Sequence, residues 1–152
     1  MRLSTKGQYG VRAMFDLASH SRDNPIPLRQ ISEREGISID YLEQLFLKLK
    51  RAGLVESVRG PGGGYLLRKR PKEIRVSDIV KAVEEPLALI SCIESQKNPK
   101  CHRMNTCIPR LLWKKLGEKI LEFLDSMTLA DLLQTQKRQT QMTADKFRCE
   151  ED

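Results

Sequence analysis

Residues 60–64 read Gly-Pro-Gly-Gly-Gly, a run that interrupts both helices and strands and must form a turn. Residues 54–58 before it alternate like a half-buried strand, and residues 65–67 can return as its partner. The run therefore predicts a β-hairpin with a glycine-rich tip. Because glycine has no Cβ, the backbone of such a tip can approach a phosphate or a minor groove closely.

Two short helices are predicted directly before this hairpin. The first begins after Pro27 and ends at Gly36, and the second is capped by Ser38 and ends near Gly53. The apolar side of the second helix consists of Leu42, Leu45, Phe46 and Leu49. Two helices joined by a short glycine-containing turn, here residues 28–51, form a helix-turn-helix pattern. With the hairpin at 54–67 as a wing, the pattern predicts a winged helix-turn-helix domain over residues 1–86.

Two further helices are expected to complete this domain. Their apolar stripes are Val11, Met14, Phe15 and Ala18 in the first, and Val76, Ile79, Val80 and Val83 in the second. Pro86 is expected to end the later helix. The fold class is therefore mainly α with a small β-hairpin.

A long helix is predicted to begin near Pro109. Its apolar stripe is Trp113, Leu116, Ile120, Phe123 and Met127, widened by Leu112, Leu121 and Leu124. This stripe could pack on its own winged helix or on a second copy of the chain. The face is wider than one small domain covers, which favours a homodimer with two-fold symmetry. Residues 109–133 are thus predicted to hold a dimerisation helix and a short terminal helix capped by Thr128 and Asp131, and residues 134–152 a flexible tail.

Charge and composition narrow the function. The segment from Lys48 to Arg75 has nine basic and two acidic residues, which equals the net charge of +7 of all 152 residues. The absence of an 18-residue apolar run and the polar start predict a cytoplasmic protein with no membrane segment. A dinucleotide-binding motif would need glycine where Tyr65 stands, and no P-loop lysine follows, so an enzyme is not expected. Turning the apolar stripe of the second helix of the helix-turn-helix inward leaves Asp40, Glu43, Gln44, Lys48 and Arg51 outward, a face suited to the major groove of double-stranded DNA.

Three cysteines, Cys92, Cys101 and Cys107, lie in the polar segment 87–108 that separates the winged helix from the long helix. Nearby positive charge favours thiolates, which bind soft metals. An iron–sulfur cluster, zinc, and redox or structural thiols are all compatible with this chemistry, although the lack of a Cys-x-x-Cys pair weakens the zinc interpretation. Cys149 lies in the polar tail and is not expected to take part.

Over residues 1–133 the chain resembles the IscR-type family of winged-helix regulators that sense iron–sulfur clusters, to which the nitric-oxide-sensing NsrR repressors also belong. The resemblance is carried by residues 1–7, 31–38, 41–46 and 58–67. It implies a homodimeric transcription regulator with a 2Fe-2S cluster on Cys92, Cys101 and Cys107. It also implies base contacts from Tyr41, Glu43 and Gln44, with Arg59 in the minor groove. Lys48 and Gly60 complete the expected DNA-binding set.

The chain departs from this family at the fourth cluster ligand. In the best-known members a histidine lies three residues after the third cysteine, whereas this chain has Arg110, which stays protonated and cannot bind iron. His102 is the nearest candidate, and it could equally be a surface histidine. The nitric-oxide-sensing relatives use an acidic residue at a position occupied here by Gln8, a poor ligand. The fourth ligand is therefore open.

These observations predict a DNA-binding transcription regulator, with repression the favoured direction of control. Its activity would be set by a 2Fe-2S cluster that reports iron–sulfur status, oxidative stress or nitrosative stress. Two alternatives are open. One is a winged-helix regulator controlled by a small metabolite or a partner protein, and the other is a metal-handling or scaffold protein that uses the winged helix for interaction.

Overall fold

Three helices, a hairpin and a fourth helix are followed by two long helices in the computed structural model, which describes residues 4–84, 103 and 106–148, with side chains to Thr143. The elements are α1 (Thr5–His20), α2 (Leu28–Glu35), α3 (Ile39–Arg51), β1 (Val55–Val58), β2 (Gly64–Leu67), a 3-10 turn (Pro71–Glu73), α4 (Val76–Val83), α5 (Ile108–Ser126) and α6 (Leu129–Arg148). This order confirms the predicted fold class. Pro86 and most of segment 87–108 lie outside the described residues.

The helix-turn-helix forms where its capping residues require it. Gly36 ends α2 with φ +66°, a left-handed conformation that a side chain disfavours. Two residues later the Ser38 hydroxyl accepts a hydrogen bond from the Tyr41 backbone N–H and caps α3. The Ser32 hydroxyl donates to the Ile37 carbonyl at 2.6 Å and fixes the turn between the two helices.

The hairpin pairs β1 and β2 antiparallel, with Val55 opposite Leu67 and Val58 opposite Gly64. Its tip needs glycine for space as well as for conformation. A Cβ on Gly63 would lie 2.3 Å from the Val58 carbonyl oxygen, and one on Gly64 would lie 2.4 Å from the backbone of Ile26. The wing is anchored there because Tyr65 and Ile26 exchange two backbone hydrogen bonds of 2.9 Å.

The inward face of α1 differs from the predicted stripe. Met14 is buried as expected, but Val11, Phe15 and Ala18 are half-buried, and the fully buried side chains of α1 are Ala13, Met14 and Leu17. The physical reason is close helix packing at Gly10, where an added Cβ would lie 3.1 Å from the side chain of Val83. Small residues therefore line the contact with α4. For this reason a stripe of large apolar residues does not identify the buried face of α1.

The core of the winged helix is otherwise continuous. Leu42, Leu45, Phe46 and Leu49 of α3 are buried as predicted, together with residues of each neighbouring element. Phe46 has no exposed surface, and its ring centroid lies 4.7 Å from that of Tyr65. Helix α3, which is the recognition helix of a helix-turn-helix, therefore shares one core with the wing.

The C-terminal region corrects the predicted end of the short terminal helix, because α6 continues to Arg148 through most of the segment 134–152 that was expected to be a tail. The expected cap is present: Thr128 N–H donates to Asp131 at 2.8 Å, and Asp131 N–H donates to the Thr128 hydroxyl at 3.2 Å. No glycine or proline interrupts residues 129–148, and Leu129 is fully buried at the start of α6. Polarity alone therefore misjudged a segment that lacks any helix-breaking residue. Among the described residues no helix has the length and apolarity needed to cross a bilayer.

Candidate DNA-binding surface and cysteine segment

The recognition helix α3 presents part of the predicted contact set to solvent. Glu43 and Gln44 are exposed, because the apolar stripe of α3 fixes their side of the helix outward. A carboxylate at this position can accept from cytosine, and an amide can bond adenine at two atoms. The two side chains therefore have the chemistry and the exposure needed to read base edges.

The side chain of Tyr41 packs against α1, a contact that the sequence did not indicate. It is half-buried, and its ring meets that of Tyr9 edge to face with centroids 5.6 Å apart. The Arg12 guanidinium lies 5.3 Å from the centroid of the Tyr9 ring. Tyr41 thus fixes the start of α3 against α1.

Lys48, one turn after Gln44 in α3, differs from Glu43 and Gln44 because its side chain is bonded within the protein. It is half-buried, and its Nζ donates to the Val83 carbonyl in the last turn of α4 at 3.1 Å. A cation near a helix C-terminus complements the partial negative charge there. Lys48 therefore joins the recognition helix to the end of α4, immediately before the cysteine segment.

Glu84 makes a second connection at the same end of α4. Its Oε1 accepts from the Gly7 N–H at 2.9 Å and from the Ser4 hydroxyl, so it caps the N-terminus of α1. Sequence reasoning missed this role, since the two partners are about 80 residues away in the chain. The last described residues before segment 85–102 are thus bonded to both α1 and α3.

The wing presents Arg59 and Gly60 at its exposed tip. Gly60 has φ +98°, and its carbonyl accepts from the Gly63 N–H at 2.9 Å. Lys50, which was not singled out from the sequence, donates to the Ser57 hydroxyl of β1 at 2.7 Å. This bond links the exposed side of α3 to the strand that leads to Arg59.

The basic segment, from Lys48 to Arg75, is exposed over most of its length. Eight of its nine cations are exposed, and only Lys48 is half-buried. Two of the eight lie close to acids, Arg70 at 3.7 Å from Glu73 and Arg75 at 3.3 Å from Asp125. The others include Arg59 at the wing tip and Arg68 and Lys69 directly after β2, and such positive charge is suited to a phosphate backbone.

A buried ion pair positions the helix-turn-helix on α1. Asp16 is 3% exposed, and Arg34 of α2 donates to it from Nε at 2.9 Å and from Nη2 at 2.8 Å. The bond to Asp16 raises the pKa of Arg34 above its ordinary value. Sequence reasoning missed this pair, because the predicted inward face of α1 did not include Asp16 and no local pattern identified Arg34 as its partner.

Cys107 is the only predicted cluster ligand among the described residues, since Cys92, Cys101 and His102 lie outside them. It is a half-buried free thiol at the N-cap of α5. The first turn of α5 has no acidic residue, and Arg110 lies three residues further on. Cysteine sulfur is the usual protein ligand of iron–sulfur clusters. The chemistry of Cys107 therefore fits a cluster ligand, whereas the guanidinium of Arg110 does not. The described residues contain no cluster of three metal-ligating side chains.

A family model described as an iron-dependent transcriptional regulator, Rrf2, matches residues 3–135. The chain belongs to the Rrf2 family. It is 50% identical over 136 residues to the HTH-type transcriptional regulator IscR of Yersinia pseudotuberculosis serotype O:1b (strain IP 31758), which covers 90% of this chain and 81% of the relative. The corresponding regulator of Serratia proteamaculans (strain 568) is 49% identical over the same length.

Solved structures agree with this assignment. The structure of T. potens IscR matches with a TM-score of 0.72 and 42% identity, over 89% of this chain and 88% of that one. CymR, the global cysteine regulator of B. subtilis, matches with a TM-score of 0.69 and 36% identity, over 87% and 95% of the two chains. The predictions of a winged helix, DNA binding and a non-enzymatic regulator of transcription are confirmed by this membership.

Proposed function

We propose that this Rrf2-family regulator binds DNA as a homodimer and that a 2Fe-2S cluster on Cys92, Cys101 and Cys107 sets its choice of DNA sites. The observation that carries the proposal is the Cys107 thiol at the N-cap of α5. Cys107 lies where the cysteine segment meets α5, and Lys48 and Glu84 bond the other side of that segment to α3 and α1. A ligand held by the cysteines would therefore act on α5, which follows the cysteine segment, and on the end of α4, which precedes it.

The dimer is supported by the surface of α5. No residue of this helix is buried, and its exposed side chains include Ile108 at 73%, Leu112 at 59% and Phe123 at 65%. Apolar surface of this extent on one helix is unfavourable in water. A second copy packed on the same face would cover it and place two recognition helices on a DNA site with two-fold symmetry.

Each half of that site would be read by one winged helix. Glu43 and Gln44 would contact base edges beside Tyr41, and Arg59 with Gly60 would enter the minor groove from the wing. Lys48 would reach a phosphate only by leaving the Val83 carbonyl. As a regulator of transcription the protein would act at the chromosome, in the cytoplasm, with repression the favoured direction.

The cluster is tested by anaerobic purification followed by visible absorption spectra and iron and sulfide assays. Wild type is expected to bind iron and sulfide in equal amounts, and replacing Cys92, Cys101 or Cys107 by Ser should abolish the spectrum in a folded protein. Cys149→Ser is the matched control and should behave as wild type. A triple Cys→Ser variant that binds every DNA site as wild type does would contradict the sensor proposal.

The fourth ligand is tested by two substitutions. Arg110→His places an imidazole three residues after Cys107, so the cluster should survive longer in air, with Arg103→His as the control. His102→Ala should shift or remove the spectrum if His102 is the ligand. An unchanged spectrum would point to solvent, a small thiol or the partner subunit.

The likeness to CymR favours a second candidate, a regulator controlled by a small metabolite or a partner protein. CymR is described as a cysteine regulator, and the two chains are 36% identical. This candidate predicts a colourless protein after anaerobic purification, with DNA binding that changes when sulfur metabolites are added.

A further inference from the structure

Asp125, in the last turn of α5, contacts two residues of α4 and the residue that precedes this helix. Its carboxylate accepts a hydrogen bond from the Ser77 hydroxyl, lies 3.3 Å from Nη1 of Arg75 and lies 3.8 Å from Nζ of Lys81. All three partners belong to the winged helix, whereas Asp125 belongs to the helix that we propose for dimerisation. Asp125 therefore joins α5 directly to the winged helix, which is the proposed DNA-reading domain.

Ser77 is the buried member of this contact. It is 0% exposed among the apolar side chains of α4, and a buried hydroxyl is costly unless it is hydrogen-bonded. Its described partner is Asp125, which lies 48 residues away in the chain. The Ser77 bond first, and then the charges of Lys81 and Arg75, lower the pKa of Asp125, so that it is anionic at neutral pH.

The backbone reinforces the same place. Val76 N–H donates to the Met127 carbonyl at 2.8 Å, and Leu129 N–H donates to the Ile74 carbonyl at 3.0 Å. Arg75 and Thr128 form an antiparallel bridge between them. Residues 74–76 and 127–129 thus form a short strand-like joint directly after the end of α5.

We propose that this joint, closed by Asp125, sets the distance and angle between the two DNA-reading domains, so that Asp125 is a positioning residue for operator spacing. The inference rests on the proposed homodimer. One inserted base pair moves a half-site by about 3.4 Å and turns it by about 34°, so two rigidly held domains tolerate little change. Two domains on a loose joint would tolerate more.

The test compares Asp125→Ala with Glu122→Ala in the full-length protein. Glu122 is a matched control because it is an acid on the same helix whose described ion pair, at 2.7 Å, is with Lys119 of that helix. The DNA probes are a two-fold site selected from random sequence with wild-type protein, the same site with one or two base pairs added at its centre, and a single half-site. Sedimentation measures the oligomeric state of each variant.

Wild type and Glu122→Ala should lose about tenfold or more in affinity for each added base pair, because the second domain can then no longer bind at high effective concentration. Asp125→Ala should lose less than about threefold, with half-site affinity unchanged within about twofold. A merely structural defect would lower half-site affinity as well, and that result would overturn the positioning role.

Asp125→Asn keeps a carbonyl oxygen for Ser77 but removes the charge, so it carries the test if Asp125→Ala does not fold. Its spacing penalty should lie between those of wild type and Asp125→Ala, and a wild-type profile would overturn the inference. A dimeric protein in which Asp125→Ala has the wild-type profile refutes the joint alone. A monomeric wild type refutes the homodimer and the joint together.

Discussion

Phe46 and Phe123 are the same side chain in opposite surroundings. Phe46 in α3 is 0% exposed and packs on Tyr65 of the wing, whereas Phe123 in α5 is 65% exposed. The winged helix thus buries a full apolar core within one chain. The long helix α5 buries none of its own residues, and a second copy of the chain would cover them only in the homodimer that we propose.

This difference separates two kinds of control. The candidate reading surface is held by a core, helix caps and an ion pair that all lie within the winged helix. In the proposed homodimer, α5, the joint and the cysteine segment would set where that surface lies relative to the second copy. Regulation is therefore expected to act on how two fixed surfaces are positioned.

The largest predicted effect separates the two phenylalanines. Phe46→Ala should destabilise the fold by about 3–5 kcal/mol, because it leaves a cavity in the core that the recognition helix and the wing share. Phe123→Ala should change the stability of the single chain by less than about 0.5 kcal/mol and weaken dimerisation instead. Urea unfolding at several protein concentrations measures both. A large, concentration-independent loss for Phe123→Ala would show that α5 packs on its own domain.

The second prediction concerns two arginines of α2. Arg34→Ala leaves the Asp16 carboxylate buried without its charged partner and should cost about 3 kcal/mol, the low end of the usual range because Arg34 is partly exposed. Arg29→Ala removes only the ion pair with Glu33, in which both side chains are more than half exposed, and should cost less than about 1 kcal/mol. Equal losses in urea unfolding would mean that the Asp16–Arg34 pair does not anchor α2.

The third prediction separates base reading from the contact between α3 and α4. Gln44→Ala should weaken selected DNA by about 1–3 kcal/mol and leave random DNA almost unaffected. Lys48→Ala should leave the salt dependence of binding unchanged if its Nζ stays on the Val83 carbonyl. If Lys48 instead neutralises a phosphate, the slope of log K against log salt should fall by about 1.

Much of the fold followed from local sequence signals. Gly36, Ser38 and residues 60–64 confine the backbone over a few residues, so the helix-turn-helix and the wing were predictable. The inner face of α1 was not, because Gly10 and Ala13 carry no large apolar side chain and are recognised only when α4 is in place. The terminal helix was underestimated because its residues are polar, although no helix breaker lies within it.

The site divides in the same way. The exposure of Glu43, Gln44 and Arg59 follows from the period of one helix and the position of one turn. The links from Asp16 to Arg34, from Glu84 to α1 and from Asp125 to Ser77 join residues 18 to 80 positions apart. No local pattern specifies such pairs. They depend on the packing of α1, α4 and α5, which is a property of the folded chain.

The smallest predicted effect is an acid sensitivity of the region where α5 meets α6. The bond from Ser77 lowers the pKa of Asp125, and the backbone and hydroxyl bonds from Thr128 lower the pKa of Asp131. Both carboxyls bind protons more weakly in the folded chain than in the unfolded chain. Their contribution to stability is therefore complete above the ordinary value of 3.8 and is lost as the pH falls through the lower folded values.

Urea midpoints measured from pH 7 down to pH 3 should thus fall at the acid end for wild type, and fall less for Asp125→Asn combined with Asp131→Asn. The double variant should be less stable than wild type at neutral pH, because the amides lose the charge that their partners stabilise. The two curves should converge toward low pH. Parallel curves would assign the acid sensitivity to other carboxylates and leave the joint without a role in it.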